Sequence, residues 1–171
     1  GYMRRRRMKE VPTCQLKGYY QEKNQQTAFV ALQVLYNYCD ITISPEAIAT
    51  GFAQVCTLTG LRGRWEILSE SPLTICDTGH NSHGIRYVVE QLKTENGKRE
   101  TENGKLHIVF GMVSDKDIDV VLNLLPEEAV YYFTQPNTSR ALPAAELQAK
   151  WHALHPMHKY NMCFDSVCNA I

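Results

Sequence analysis

The sequence has no excess of charge, no Cys-x-x-Cys pair, no long apolar run and no glycine-rich phosphate loop. Eighteen Lys and Arg balance 18 Asp and Glu over 171 residues. No global field therefore draws in nucleic acid or an anionic membrane, and any anionic ligand must be held by local groups. No stretch supplies the roughly 20 apolar residues of a bilayer span. Tyr2-Met3-Arg4 leads into a basic segment without the apolar centre of a signal peptide. The expectation is a cytoplasmic protein with neither membrane nor nucleic acid among its partners. Cys14, Cys39, Cys56, Cys76, Cys163 and Cys168 include no Cys-x-x-Cys, which favours reduced, buried thiols over a disulfide framework. His152, His155 and His158 stand close to Cys163 and Cys168, but Pro156 interrupts any helix that would align the histidines. No metal site is expected; the histidines read as a solvated helix end. No Gly-x4-Gly-Lys-Ser/Thr is present, since neither Lys98 nor Lys105 is followed by Ser or Thr. No nucleophile, base and orienting group form a visible set either.

What is present is an ordinary globular composition, 44% hydrophobic and 21% charged, with length for one sizeable core or one domain plus a piece of another. Residues 1–14, with Arg4 to Arg7, predict a loose basic arm. A helix follows in which Ala28, Ala31, Leu32, Leu35 and Tyr38 share a face. Ser44-Pro45-Glu46 starts a second, Ser44 capping and Pro45 in the first helical position, with Ile48, Phe52 and Val55 as its apolar stripe. These helices, within residues 15–59, cannot enclose a core alone and should pack against something else.

After an Arg-rich turn at Gly60 to Arg64 the rhythm becomes strand and helix. Strand Trp65 to Leu68 precedes strand Leu73 to Cys76 and helix His83 to Leu92. Strand Leu106 to Phe110 and helix Asp117 to Leu125 come next. Strand Val130 to Phe133 is followed by a helix opened by Pro143 and closed by Trp151-His152, with Leu147, Trp151 and Leu154 on its apolar face. Nearly continuous apolar strands alternating with helices predict an α/β fold, a Rossmann-like, mostly parallel sheet with helices on both faces. Thr94 to Lys105 repeats TENGK and predicts an exposed loop. Asp165-Ser166 predicts a helix cap near the end.

In such a sheet the loops after the strands gather at one edge and carry function. Here they hold Asp77-Thr78-Gly79-His80-Asn81, then Ser114-Asp115-Lys116-Asp117, then Thr134 to Arg140. Asp77 suits either ribose hydroxyls or the cap of the following helix. His80 stands where a helix dipole favours anions. Arg64 suits either a phosphate or a surface salt bridge. Asp115-Lys116-Asp117 suits either a charged substrate or helix capping. The residues alone reach a ligand edge without a reaction.

Gly63-Arg64-Trp65-Glu66, Ser71-Pro72, Asp77-Thr78-Gly79-His80-Asn81, Gly111 to Asp117 and Arg140-Ala141-Leu142-Pro143 together resemble the carboxyl-terminal region of the dihydrofolate synthase and folylpolyglutamate synthase family, relatives of the Mur ligases. Leu16-Lys17-Gly18-Tyr19-Tyr20-Gln21 with Asn24 resembles the end of that family's ATPase domain. The resemblance covers the chain from about Leu16 onward. It implies that residues 15–59 are the last helices of an ATPase domain and residues 60–171 most of a Rossmann-like carboxyl-terminal domain, with Gly60 to Arg64 as the hinge. It also implies ATP-dependent addition of L-glutamate to dihydropteroate or folylpolyglutamate through an acyl phosphate. Asn24, Arg64, Asp77, Thr78, Gly79 and His80 would contact ATP, with Asp77 near the ribose, Arg64 near the phosphates and His80 at the reacting end. Asn81, Ser114, Asp115 and Lys116 would face the substrates. The family usually has Asp-Gly/Val-Ala-His-Asn-Pro where this chain has Thr78-Gly79 and Ser82. The family's phosphate loop and Mg2+ ligands have no counterpart here, so the implication is a fragment, inactive alone, whose partner is its own amino-terminal ATPase domain. Another Mur-type amino-acid ligase, a stand-alone α/β binding module and a metal-binding protein are the competing readings.

Overall fold

The computed structural model describes residues 10–39, 41–97, 105–114 and 117–171. The basic run Arg4 to Arg7, most of the TENGK repeat, and Asp115 and Lys116 lie outside them. The chain forms two compact units, one ending at Thr78 and the other beginning at Gly79.

The first unit contains α1 (Gln21–Tyr38), α2 (Pro45–Ala53), α3 (Val55–Thr59) and the strands β1 (Glu66–Glu70) and β2 (Leu73–Cys76). Ser44 caps α2 as expected, its hydroxyl accepting from the Ala47 amide at 3.0 Å. The face expected for α1 is not the buried one. Ala28, Ala31 and Leu35 are exposed and Tyr38 is 85% exposed. Gln21 and Phe29 are buried instead, and Phe29 meets Phe52 edge to face at 6.4 Å. The apolar residues of α1 run around much of its surface, so spacing alone did not select the packed side. The start of α3 is capped from a distance: the Gln15 side-chain oxygen Oε1 accepts from the Cys56 amide at 2.9 Å and the Thr57 amide at 3.4 Å. Gly60 ends α3 in a left-handed conformation at φ 69°, its amide returning to the Cys56 carbonyl, so the residue expected at a hinge closes a helix.

β1 and β2 pair antiparallel in a two-stranded sheet of their own. β2 has the expected bounds, but it is not part of the described parallel sheet, and β1 starts one residue later than expected. A turn of only Ser71-Pro72 separates the two strands, and so short a connection admits only an antiparallel neighbour.

The second unit runs α4 (Ser82–Gly97), β3 (His107–Phe110), α5 (Ile118–Leu122), β4 (Val130–Phe133), α6 (Ala144–Leu154), β5 (Asn161–Cys163) and α7 (Val167–Ala170). Its three strands are parallel in the order β3-β4-β5. This is the expected α/β class, a parallel sheet with helices. Several bounds differ: α4 begins at Ser82 and continues through Thr94 to Gly97, where a loop was expected, β3 starts at His107, α5 runs only from Ile118 to Leu122, and α6 extends to Leu154. Within that extra turn the Thr94 hydroxyl bonds back to the Glu90 carbonyl at 3.0 Å. Ser166 caps α7 as the sequence predicts, accepting from Asn169 at 3.3 Å.

The strands advance in one direction across the sheet, and right-handed crossovers then set α5 and α6 against the same face. Register and alternation place Ile108, Phe110, Tyr131 and Phe133 on that face. Tyr131, Phe133, Leu122, Leu147 and Trp151, each 0% exposed, form the centre of the core, joined by Ile85 and Val89 of α4. Trp151 packs on Tyr131 at 4.4 Å and Phe133 at 5.9 Å between ring centres. Val109 and Met162, on the opposite face of these strands, remain 40% and 43% exposed.

Candidate functional site

The expected site residues fall into two groups, one in each unit. In the first unit they gather around the carboxylate of Asp77, just past the end of β2. Its Oδ2 accepts from the backbone amide of Trp65 at 2.7 Å and from the hydroxyl of Tyr20 at 2.8 Å. Neither the ribose role nor the helix-cap role predicts these two bonds. Together they fasten the turn before β1 and the lead-in to α1 to one oxygen. Trp65 needs the fastening: it holds φ 53°, unusual for a side chain of that size, while 5% exposed. Burial, reinforced by the bond to Asp77 and its charge, pushes the Tyr20 hydroxyl up to about 12, so it stays a donor at any ordinary pH. Burial, aided by Glu66 and Asp77, also raises the neighbouring Cys76 thiol above its usual value, which keeps it unreactive.

The Arg-rich turn is closed from within. Arg62 pairs with Glu66, and the other Glu66 oxygen accepts from the Gly63 amide at 2.8 Å. Arg64, for which a salt bridge was one reading, donates through Nη1 to the hydroxyl of Thr78. Thr78 in turn donates its amide at 2.9 Å and its hydroxyl at 3.0 Å to the carbonyl of Gly63. Gly63 is buried at φ 68°, and a Cβ there would stand 2.6 Å from Thr78 Cγ2. Only glycine fits that position. Asn24 is exposed one turn into α1, its amide donating to Gln21 at 3.2 Å.

In the second unit Gly79, His80 and Asn81 lead into α4. Asn81, expected to face substrate, caps the helix: its Oδ1 accepts from Gly84 at 2.7 Å and its carbonyl from Ile85 at 2.9 Å. His80 is exposed at that helix start. Ser114 bonds the Arg140 carbonyl through its amide at 2.9 Å and its hydroxyl at 3.2 Å. A bridge between Val113 and Ala141 and a bond from Leu142 to Met112 at 2.9 Å continue the contact. The loops after β3 and β4 are thus zipped together, as their shared edge predicts. Asp117 occupies the N-cap position of α5 without a side-chain cap.

His152 is exposed in the last turn of α6, as a solvated helix end predicts, but His155 and His158 are structural. His158 Nδ1 accepts from the Trp151 indole at 3.1 Å, and its Nε2 lies 2.9 Å from the Ala129 carbonyl. His155 is 9% exposed against the Trp151 ring, with Nδ1 3.4 Å from Glu127. Among the described residues no three His, Cys, Asp or Glu side chains converge on a point that would hold a metal ion. All six cysteines are free, but none is fully buried: Cys39, Cys163 and Cys168 are exposed and the others half-buried. None belongs to the buried core, which corrects the expectation of buried thiols. No helix among the described residues is long and apolar enough to cross a membrane.

Sequence reasoning missed Tyr20 and Gln15 as organising side chains. Each acts across more than 40 residues of chain, and no local pattern carries that information. The Gly63 and Thr78 pair left one signal, a glycine beside an arginine in a charged turn.

A family model described as "Mur ligase, glutamate ligase domain" matches residues 63–171. Folylpolyglutamate synthase of Lacticaseibacillus casei is 29% identical over 148 residues, 85% of this chain and 31% of its own length. Dihydrofolate synthase/folylpolyglutamate synthase of Escherichia coli (strain K12) is 35% identical over 97 residues, 57% of this chain and 20% of its own. The solved structure of E. coli FolC in complex with DHPP and ADP superposes with a TM-score of 0.69 at 28% identity, covering 95% of this chain and 34% of that one. A Yersinia pestis bifunctional folylpolyglutamate synthase/dihydrofolate synthase with AMPPNP and Mn gives 0.66 at 29%, covering 96% and 34%. The chain spans no more than about a third of these relatives, 31% of the first curated one and 34% of each structure.

Proposed function

The chain belongs to the family described as Mur ligase, glutamate ligase domain, and on that premise we propose that it works as the carboxyl-terminal part of an ATP-dependent ligase adding L-glutamate to dihydropteroate or to a folylpolyglutamate. The similarity to folylpolyglutamate synthases across 85% of the chain carries this reading. Residues 15–59 would close an ATPase domain and residues 60–171 would form the glutamate ligase domain, a division supported by the family match beginning at Gly63.

ATP, when bound, would supply the phosphoryl group that activates a carboxylate as an acyl phosphate, at whose acyl carbon the amine of glutamate displaces inorganic phosphate. This chain's residues would contribute charge and position rather than a covalent nucleophile. Arg64 is suited to the phosphates because its guanidinium is delivered by a turn fixed through Gly63 and Thr78. Asp77 is suited to the ribose, and the bonds from Tyr20 and Trp65 set the orientation of its carboxylate. Asn24 and Gly79 complete the proposed nucleotide contacts, Thr78 serves them through its hold on Arg64, and His80, at the start of α4, is proposed for the reacting end. Asn81, Ser114, Asp115 and Lys116 are proposed for the substrates, Asn81 and Ser114 through the loops they organise. Mg2+ would be held by an ATPase domain, the described residues here offering no ligand set for it.

The test is an assay of the whole protein encoded by the reading frame that carries these residues. Arg64→Ala and Asp77→Ala should each abolish most ATP-dependent glutamate addition. Full activity in both removes the site assignment, and a screen in which another carboxylate replaces the pterin substrates identifies a different Mur-type ligase. The 171-residue chain by itself should hydrolyse no ATP.

A further inference from the structure

We infer that Thr78 is a positioning residue whose hydroxyl aims Arg64 at the anion that Arg64 serves, an inference that rests on the nucleotide reading of that site. The observation is a directed chain of hydrogen bonds. The Thr78 hydroxyl gives its one proton to the Gly63 carbonyl at 3.0 Å. Its lone pairs are thereby turned away from that carbonyl, and one of them accepts from Arg64 Nη1. The Thr78 amide bonds the same carbonyl at 2.9 Å, so the backbone and side chain of Thr78 grip the turn together. The fit on the other side is steric: Gly63 has no Cβ, and one placed there would meet Thr78 Cγ2 at 2.6 Å. The methyl of Thr78 thus packs where Gly63 leaves room, while its hydroxyl fixes one branch of the guanidinium.

A long arginine on a partly exposed turn samples many rotamers, and restricting it in advance lowers the entropy lost when it meets a phosphate. A single acceptor on Nη1 restricts Arg64 without neutralising it, because a hydroxyl carries no charge. The remaining guanidinium donors keep their geometry for a bidentate contact. A carboxylate at residue 78 would hold Arg64 as firmly but cancel the charge that attracts the anion. Thr78 therefore acts on nucleotide affinity through Arg64, not by touching the nucleotide.

The decisive comparison sets Thr78→Val against Thr78→Ser in the whole encoded protein. Valine keeps the methyl packing on Gly63 and removes the hydroxyl; serine does the reverse. ADP affinity is measured by calorimetry, KM for ATP and kcat are measured separately, and thermal stability is followed in parallel. T78V should weaken ADP binding and raise KM for ATP by about ten-fold, the scale of one charge-assisted hydrogen bond. Its kcat should change much less, its melting temperature should hold, and T78S should restore most of the affinity. Should T78V not fold, Gly63→Ala is the second route. Its methyl displaces Thr78, so it should weaken ADP binding, and the added T78S change, which removes Cγ2, should recover part of the loss. Unchanged ADP affinity in T78V, alongside a clear loss in Arg64→Ala, overturns the positioning role. A T78V defect that T78S fails to restore, accompanied by a lowered melting temperature, overturns it too and leaves a structural threonine. Unchanged affinity in R64A itself instead overturns the nucleotide reading on which the inference stands.

Discussion

Up to Thr78 the buried hydrophobic side chains among the described residues are Phe29 and Trp65, whereas from Gly79 onward an aromatic and aliphatic cluster surrounds Trp151, Tyr131 and Phe133. The two units solve the same problem with different forces. In the second, burial of large side chains fixes the backbone, and polar groups such as His158 are recruited to satisfy the indole and a carbonyl inside the packing. In the first, hydrogen bonds to a few side chains do most of the fixing: Asp77 holds Tyr20 and Trp65, Glu66 holds Arg62 and Gly63, and Gln15 holds the start of α3. Apolar burial is non-directional and tolerates small shifts, while a hydrogen-bonded clasp dictates orientation. The clasp is therefore the better place to aim an arginine, and the packed core the better place to anchor a sheet.

That contrast is broken or sharpened by perturbing each unit in turn. The largest effect should come from Trp151→Ala, which removes the largest fully buried side chain of the second unit. A loss of about 3–5 kcal/mol in urea denaturation is expected, with amide-exchange protection of the first unit retained. Equal loss of protection in both units would mean that the core supports the clasp as well. Asp77→Ala comes next. It strips the acceptor from the Trp65 amide and the Tyr20 hydroxyl, and about 2 kcal/mol of local stability should go with it. Hydrogen exchange at the Trp65 amide should accelerate while the β3-β4-β5 ladder stays protected. Gln15→Ala should cost about 1 kcal/mol, the usual value of a helix-cap acceptor, seen as fraying of α3 by amide exchange at Cys56 and Thr57.

The smallest expected effect is a titration. The Tyr20 hydroxyl ionises near 10.0 when unfolded and at about 12 in the folded chain. Because the folded value is the higher one, its contribution is complete below pH 10 and is lost as pH rises through 12. Tyrosinate absorbance should show a late-titrating component that Tyr20→Phe removes. If that component survives the substitution, the bond from Tyr20 to Asp77 does not govern it. Tyr131, raised further by its burial, is common to both proteins and should cancel in the difference between their spectra.

Much of the second unit was legible because its signals are local. Val130 to Phe133 reads as a strand from four consecutive apolar residues, and Leu147 and Trp151 mark the inner face of α6 by their spacing of four. Pro143 marks the start of that helix. β5 was missed because Asn161-Met162-Cys163 is three residues long and opens on a polar side chain; its pairing with β4 defines it, not its composition. The first unit was less legible for the reason that makes it interesting. Which side of α1 is buried depends on Phe52, and what Asp77 binds depends on Tyr20, so both are set by tertiary contacts. Within the site, Arg64 and Asp77 stood out as types suited to phosphate and ribose. Their actual partners stand 12 to 57 residues away in sequence: Thr78 for Arg64, Tyr20 and the Trp65 amide for Asp77.

The strand order β3-β4-β5 has a consequence for how the chain is made. Within this parallel sheet β4 and β5 each pair with the strand preceding them in sequence. When synthesis delivers β4, its template β3 already exists; when it delivers β5, β4 does. No strand must wait for a later one to fill a gap between earlier neighbours, as happens in sheets whose order reverses. The second unit can therefore assemble vectorially from the ribosome, one strand and one crossover helix at a time.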